Sequence, residues 1–221
     1  MSFLWTLSAK SSVLIDHMDA FTLNLACQSD PILKLRYRGA VSCDEIPILR
    51  ENDVIIINTT PISAPGLHWT AAALRRVCRP LLSAGPSAGS SAGPSALKPA
   101  ESSYMIEFFC SYGTDVAHYK EIKKGLEKSC SYIVSNKRCL QVSWSSSCAL
   151  FCLLFIWSQT RGIYLKEMLQ QFFPVIYPPA KRYKYDVFAI KVITTLLQFP
   201  HRGASHLLLD LDFLMQQNTS V

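Results

Sequence analysis

The apolar positions of this chain fall into runs, and the runs predict its elements. Residues 53–58 read Asp-Val-Ile-Ile-Ile-Asn, a β-branched run closed by polar residues, which predicts a buried strand. A second strand is expected over 68–74, and a third over 104–109. Shorter strands are expected at 132–134 and 138–142. From Cys148 the chain is apolar through Trp157, which predicts a central helix. Residues 116–126 alternate apolar positions with Lys120, Lys123 and Lys124, followed by Lys128, which predicts an amphipathic helix with a solvated basic face. Apolar i, i+3, i+4 spacing predicts helices over 165–173 and 187–197, and a last helix over 207–215. Short helices are expected near 15–18 and 20–25, with His17 as a surface or capping residue. Ser42 followed three residues later by Glu45 fits a capping box, so a short helix start is expected there after a turn.

One stretch breaks every pattern. Residues 83–95 repeat Ser, Ala, Gly and Pro with no apolar face, and such a segment cannot pack a core. Strand signal resumes just beyond it, so about 77–102 is expected to be a flexible insertion within one domain spanning 1–221. Loop-closure entropy grows slowly with length, so such an insertion costs little. The final residues are expected to fray.

Composition narrows the class. The chain has 221 residues, 49% of them hydrophobic and 17% charged, which suits one globular domain with a sizeable core. The longest apolar run, 149–157, is half a membrane span. Residues 1–20 carry Asp16 and Asp19 without a basic-then-apolar start, so no signal peptide and no membrane association are expected. Eight cysteines without a secretory signal predict free thiols in a reducing compartment. Cys148 and Cys152 are four apart, and Cys130 and Cys139 lack a CxxC partner, so no metal is expected. The net charge of +6 is compatible with nucleic acid or an acidic partner and establishes neither.

The candidate chemistry lies at the head of the central helix. Ser145, Ser146 and Ser147 lead into Cys148. Small residues there let a substrate approach, and the helix dipole favours a thiolate in the first turn. A buried structural cysteine is the plainer reading of Cys148 alone. Far upstream, His68 follows a loop rich in proline and glycine at the start of a strand, where catalytic groups commonly sit. Packing beside Trp69 is the plainer reading of His68 alone. Taken together, a thiol, an imidazole base and an amide donor suffice for nucleophilic catalysis. Gln141 and the backbone N–H of Cys148 supply the donors.

These pieces, in this order, resemble the adenain-type cysteine proteases: the adenovirus maturation protease, its Polinton/Maverick relatives and, more distantly, the SUMO-specific proteases. Residues 37–41 with 44–47 resemble the family's N-terminal segment. Residues 55–58 followed by 65–69 resemble its catalytic-histidine segment. Residues 107–113 resemble its acid-bearing segment. Gln141 stands seven before Cys148, like the family's oxyanion glutamine, and 147–152 resemble its nucleophile segment. Tyr185, Asp186 and Val187 match a downstream helix start weakly. The likeness spans roughly 35–198. It implies an α+β fold of the papain-like class, with a small mixed sheet against the nucleophile helix and histidine before cysteine along the chain. It further implies His68, Gln141 and Cys148 as site residues and cleavage of viral or mobile-element precursor proteins. A nuclear or virion location, otherwise an intracellular one, and DNA and a short peptide as activators also follow from it. Arg75, Arg76, Lys120, Lys123, Lys124, Lys137 and Arg138 are compatible with non-specific DNA contact.

Two positions depart from the family. Cys110 stands where the family has an acid, so nothing carboxylate-like orients His68 there. Glu107 has the other strand parity, and Asp115 lies past the turn. Ala149 replaces a glycine. A catalytically impaired relative acting as a binding or virion structural protein is therefore the alternative, with a protease for ubiquitin-like modifiers behind it.

Overall fold

The computed structural model describes residues 18–78 and 102–198. The expected insertion from residue 79 onward, the helix over 207–215, His17 and the C-terminal end lie outside the described residues.

The order of elements is α1 (Ala20–Ser29), β1 (Tyr37–Ser42), β2 (Val54–Asn58), β3 (Trp69–Cys78), β4 (Ser102–Phe109), α2 (Lys120–Glu127), β5 (Ile133–Ser135), α3 (Cys148–Thr160), α4 (Leu165–Phe172) and α5 (Tyr183–Gln198). The strands form one sheet in sequence order, β1 to β5. β1 runs parallel to β2, β2–β3 and β3–β4 are antiparallel, and β5 is parallel to β4. The β3–β4 ladder continues to the pair Cys78–Ser102, so the strands bracketing the Ser-Ala-Gly-Pro repeat extend to its edge.

Strand parity splits the core in two. Val54, Ile56, Ala71, Ala73 and Phe109 face α1, α3, α4 and α5. Ile55, Ile57, Ala72, Leu74, Ile106 and Phe108 face the other way, against Ile122 and Leu126 of α2 and against Ile46 and Leu49. β2 is buried on both faces because helices and loops cover both, which is why it is β-branched throughout rather than alternating. α3 is buried along all thirteen residues, and Phe155 stacks on Phe109 of β4 at 5.2 Å between centroids. An all-apolar helix is stable only in such a place. The fold is thus a mixed α and β one, built on a mixed five-stranded sheet.

Three expectations fail. Tyr37–Ser42 is a strand, and Ser42 leads only into a turn, its C=O accepting from the N–H of Glu45 at 3.0 Å. Pairing with β2 overrides the local capping pattern there. Residues 138–142 form no strand; their backbone binds the β4 turn instead, with Ser111 C=O taking the N–H groups of Leu140 and Gln141. The single helix expected over 116–126 is a 3-10 turn, Val116–His118, followed by α2. Asp115 starts that turn, its carboxylate accepting from the N–H of Ala117 at 2.9 Å.

Candidate active site

His68 is placed by the β2–β3 hairpin. The N–H of Thr59 donates to His68 C=O at 2.9 Å, the bond that closes the ladder before the strands part. Asn58 Oδ1 accepts from the N–H and the hydroxyl of Thr60, fixing the loop that returns to the histidine. The imidazole lies against the ring of Tyr112, 4.7 Å between centroids and 30° from parallel. Burial holds His68 down to about 4, so the ring is neutral at neutral pH.

Cys110 meets the histidine from β4's end. Its Sγ lies 3.4 Å from His68 Nε2 and 3.6 Å from the Tyr119 hydroxyl. Asn136 clamps its backbone from both sides: the Cys110 N–H donates to Asn136 Oδ1 at 2.8 Å, and Asn136 Nδ2 donates to Cys110 C=O at 2.9 Å. Gly113 closes the turn at φ +72°, where a Cβ would lie 2.7 to 2.9 Å from backbone atoms of residues 137–139. A side chain is excluded there by space and by conformation. Position 110 therefore sits where a group orienting the imidazole would stand, and a thiol occupies it.

Cys148 is the first residue of α3 and is buried to 9% exposure. The backbone N–H of Trp69, His68's neighbour in sequence, bears on its sulfur, as do the N–H groups of Ala149 and of Cys148 itself. Burial outweighs all three and pushes the thiol above its ordinary range. The easier ionisation expected from the helix dipole is thus reversed, because α3 starts inside the molecule rather than at its surface. His68, Trp69, Tyr112, Trp144, Ser145 and Cys148 line one cleft of about 770 Å3. Leu67 and Trp144, 80% and 78% exposed, stand on the two loops that border it. Residues 68 and 148, eighty apart in sequence, open on the same space.

Gln141 lies beneath the loop of that cleft, 1% exposed. Its Oε1 accepts from the Ser111 hydroxyl at 2.6 Å, and its Nε2 donates to Ser145 C=O at 2.5 Å. One of the two Nε2 hydrogens is thereby committed, and the side chain itself does not line the cleft that His68 and Cys148 share.

Two residues outside the expected set shape the site. Asn136 carried no signal of its own in sequence. Asp186, in the first turn of α5, reaches the loop before Cys148: the hydroxyls of Ser145 (2.7 Å) and Ser147 both meet its Oδ1. Its place at a helix start was a weak signal, and its target was not legible.

The other charges are sorted by their partners. Glu107 faces away from Cys110, pairing with Arg75 at 2.8 Å and accepting from Gln159 and from the N–H of Leu165. Arg75 and Arg138 are engaged within the protein, Arg138 with Tyr185 and backbone carbonyls. Arg76, Lys120, Lys123, Lys124 and Lys137 remain as the exposed cations of the expected basic set. Among the described residues, no single helix is long and apolar enough to cross a membrane. No protein-family model matches this chain, and no curated protein matches it.

Proposed function

We propose that the chain is a cysteine endopeptidase of the adenain-like, papain-related type. Cys148 is its nucleophile, His68 its base, and the Cys148 N–H and Gln141 are its oxyanion donors. One observation carries the reading: Cys148 and His68 line one cleft while Cys110 meets Nε2 of the same imidazole. With Nε2 directed at Cys110, Nδ1 is the nitrogen available to the thiol. For Nδ1 to accept a proton, Nε2 must carry the ring hydrogen and donate it to Cys110 Sγ. Sulfur is a weak acceptor, so it holds this tautomer less firmly than a carboxylate would.

Catalysis then runs from an uncharged pair. The sulfur of Cys148 bonds to the scissile carbonyl carbon as its proton passes to His68. The tetrahedral oxyanion forms against the two donors. His68 returns the proton to the leaving amine as the C–N bond breaks, and later takes one from the water that hydrolyses the thioester. The substrates are precursor proteins of viral or mobile-element origin, which enter as extended chain between the loops bearing Leu67 and Trp144.

The test is iodoacetamide labelling of Cys148 across pH, in the wild type and in His68→Ala. General-base assistance contributes at least about 100-fold, so the variant is expected to label Cys148 more slowly by that order near neutrality. Equal labelling of Cys148 in both proteins would sink the reading.

A second reading, an impaired relative that binds rather than cuts, is favoured by the thiol at position 110. It predicts capture of extended peptides without turnover. Non-specific DNA contact is a separate proposal resting on the five exposed cations. It predicts binding to random duplex with a log–log salt slope of about −4.5 if all five meet phosphates, Lys123 leaving its pair with Glu127 to do so. Binding that is absent or insensitive to salt rejects it.

A further inference from the structure

α3 begins without the cap its sequence offers. Ser147 is its N-cap residue, a type that ordinarily turns its hydroxyl onto an N–H of the first turn. Here it makes no such bond; its hydroxyl goes to Asp186 Oδ1, thirty-nine residues away. Ser145 is drawn to the same oxygen at 2.7 Å, lies 2.8 Å from the Ser147 hydroxyl and accepts the N–H of Ser147 at 3.2 Å. The C=O of this same Ser145 holds Gln141 Nε2. Asp186 is itself 6% exposed, and its Oδ2 is buried with no partner in the structure. A half-satisfied buried carboxylate costs stability, which its place in the first turn of α5 offsets only in part.

We propose that Asp186 is a positioning residue for acyl transfer at Cys148. By holding Ser145 and Ser147 it keeps the serine hydroxyls off the N–H groups of Cys148 and Ala149, while that of Leu150 donates to Ser147 C=O at 3.0 Å. It also fixes the 147–148 peptide and, through Ser145 C=O, the buried Gln141 amide behind the cleft wall. The inference rests on the thiol-protease reading above. It adds a requirement that reading does not contain: the acid acts on the loop, not on the imidazole. The perturbation of His68 has burial as its cause, with no share from Asp186.

The experiment separates oxyanion support from general damage. Two probes act on Cys148. Iodoacetamide forms a C–S bond and expels iodide with no oxyanion. 4-Nitrophenyl acetate forms a thioester through an oxyanion, expels 4-nitrophenolate and sends the thiol proton to His68. Asp186→Ala frees both serines and is expected to slow acylation about 30-fold, less than the loss of a whole oxyanion donor. Its alkylation should stay within about threefold of the wild type's. Asp186→Asn retains an acceptor oxygen and is expected to recover most of the acylation rate. Equal loss with both probes, no loss of acylation, or an asparagine variant as slow as the alanine one each overturns the proposal. Circular dichroism and melting of both variants identify an unfolded protein, which would show the carboxylate to be a packing residue and also overturn it. A wild type whose Cys148 alkylates without dependence on His68 fails the protease reading first and is recognised by that separate result.

Discussion

Cys110→Asp inserts a carboxylate where the structure leaves a thiol 3.4 Å from His68 Nε2. In the present protein two uncharged groups, His68 and Cys148, line the same cleft. Burial holds His68 down to about 4 and pushes Cys148 above its ordinary range. Transfer of the thiol proton to the ring is thus uphill, and the thiolate appears only as the pH climbs toward the cysteine's own raised value. A carboxylate within hydrogen-bond distance raises a histidine by roughly 1 to 3 pH units, and each unit is worth about 1.4 kcal/mol. The imidazolium–thiolate pair therefore gains about 1.4 to 4 kcal/mol relative to the neutral pair. The added charge is not stranded, since His68 Nε2 and the Tyr119 hydroxyl, 3.4 and 3.6 Å from the present sulfur, can each donate to it.

The assay is the pH dependence of iodoacetamide alkylation at Cys148, with the His68 titration followed by NMR in the same samples. The wild type is expected to show a rate that rises steadily into alkaline pH. Cys110→Asp is expected to show a plateau extending below neutrality, with the contribution of the imidazolium–thiolate pair about 10- to 1,000-fold higher, as a shift of one to three units dictates. Its histidine should titrate well above 4. A folded variant whose histidine moves upward while the alkylation profile keeps its shape would refute the reasoning, because the imidazole would then be uncoupled from the sulfur of Cys148.

Three further outcomes follow from the same geometry. Folded His68 titrates near 4 against an ordinary 6.5, so the unfolded chain binds the extra proton between those values. Stability should be intact above about 6.5 and fall by up to about 3 kcal/mol as the pH drops to 4, while His68→Gln flattens that part of the curve in denaturant titrations; a flat wild-type curve counts against it. Gln141→Ala leaves the Ser111 hydroxyl and Ser145 C=O without their buried partner, so melting should report a loss of about 2 kcal/mol, and 4-nitrophenyl acetate acylation should fall about 100-fold. An unchanged acylation rate would remove Gln141 from the site. Gly113→Ala drives a Cβ into backbone at 2.7 Å, so a loss of at least about 2 kcal/mol is expected, with a changed ring environment for His68 as Tyr112 shifts; a neutral effect would contradict the turn.

The parts of this molecule legible in sequence are those written in short-range pattern. The β-branched run at 54–57 became the fully buried strand β2, the apolar run after Cys148 became the core helix, and Cys110 to Gly113 became the turn that glycine permits. Ser42 misled because a capping pattern is local while strand pairing is not, and β2 claimed residues 37–42. Residues 138–142 misled for the same reason, since an apolar alternation says nothing about which carbonyl receives its N–H groups. In the site, residue types were legible and partners were not. His68, Gln141 and Cys148 could be named as candidates through the family resemblance, and of these His68 and Cys148 line one cleft. The clamp of Asn136 on Cys110 and the reach of Asp186 to Ser147 are contacts between distant segments, and a lone polar residue gives no sign of its target.

The electrostatics of the cleft and the place of Asp186 bear on one question: how a thiol could act without a charged partner. A carboxylate beside the imidazole would lower the cost of proton transfer in every resting molecule. Without one, the neutral thiol and neutral ring persist, and the barrier must fall at the tetrahedral stage, where the oxyanion appears. That shifts the burden onto donors held in advance, which work best where water is excluded and nothing need rearrange. Asp186 spends its hydrogen bonds on such an arrangement, taking two serine hydroxyls that would otherwise cap the helix or turn to solvent. The two carboxylate positions then differ in the step they serve. Under the proposed reading, an acid at 110 favours the charged pair before attack, whereas the acid at 186 favours the intermediate after it. Changes at the two sites should accordingly combine additively in alkylation and acylation measured side by side, because they act on different states along the path.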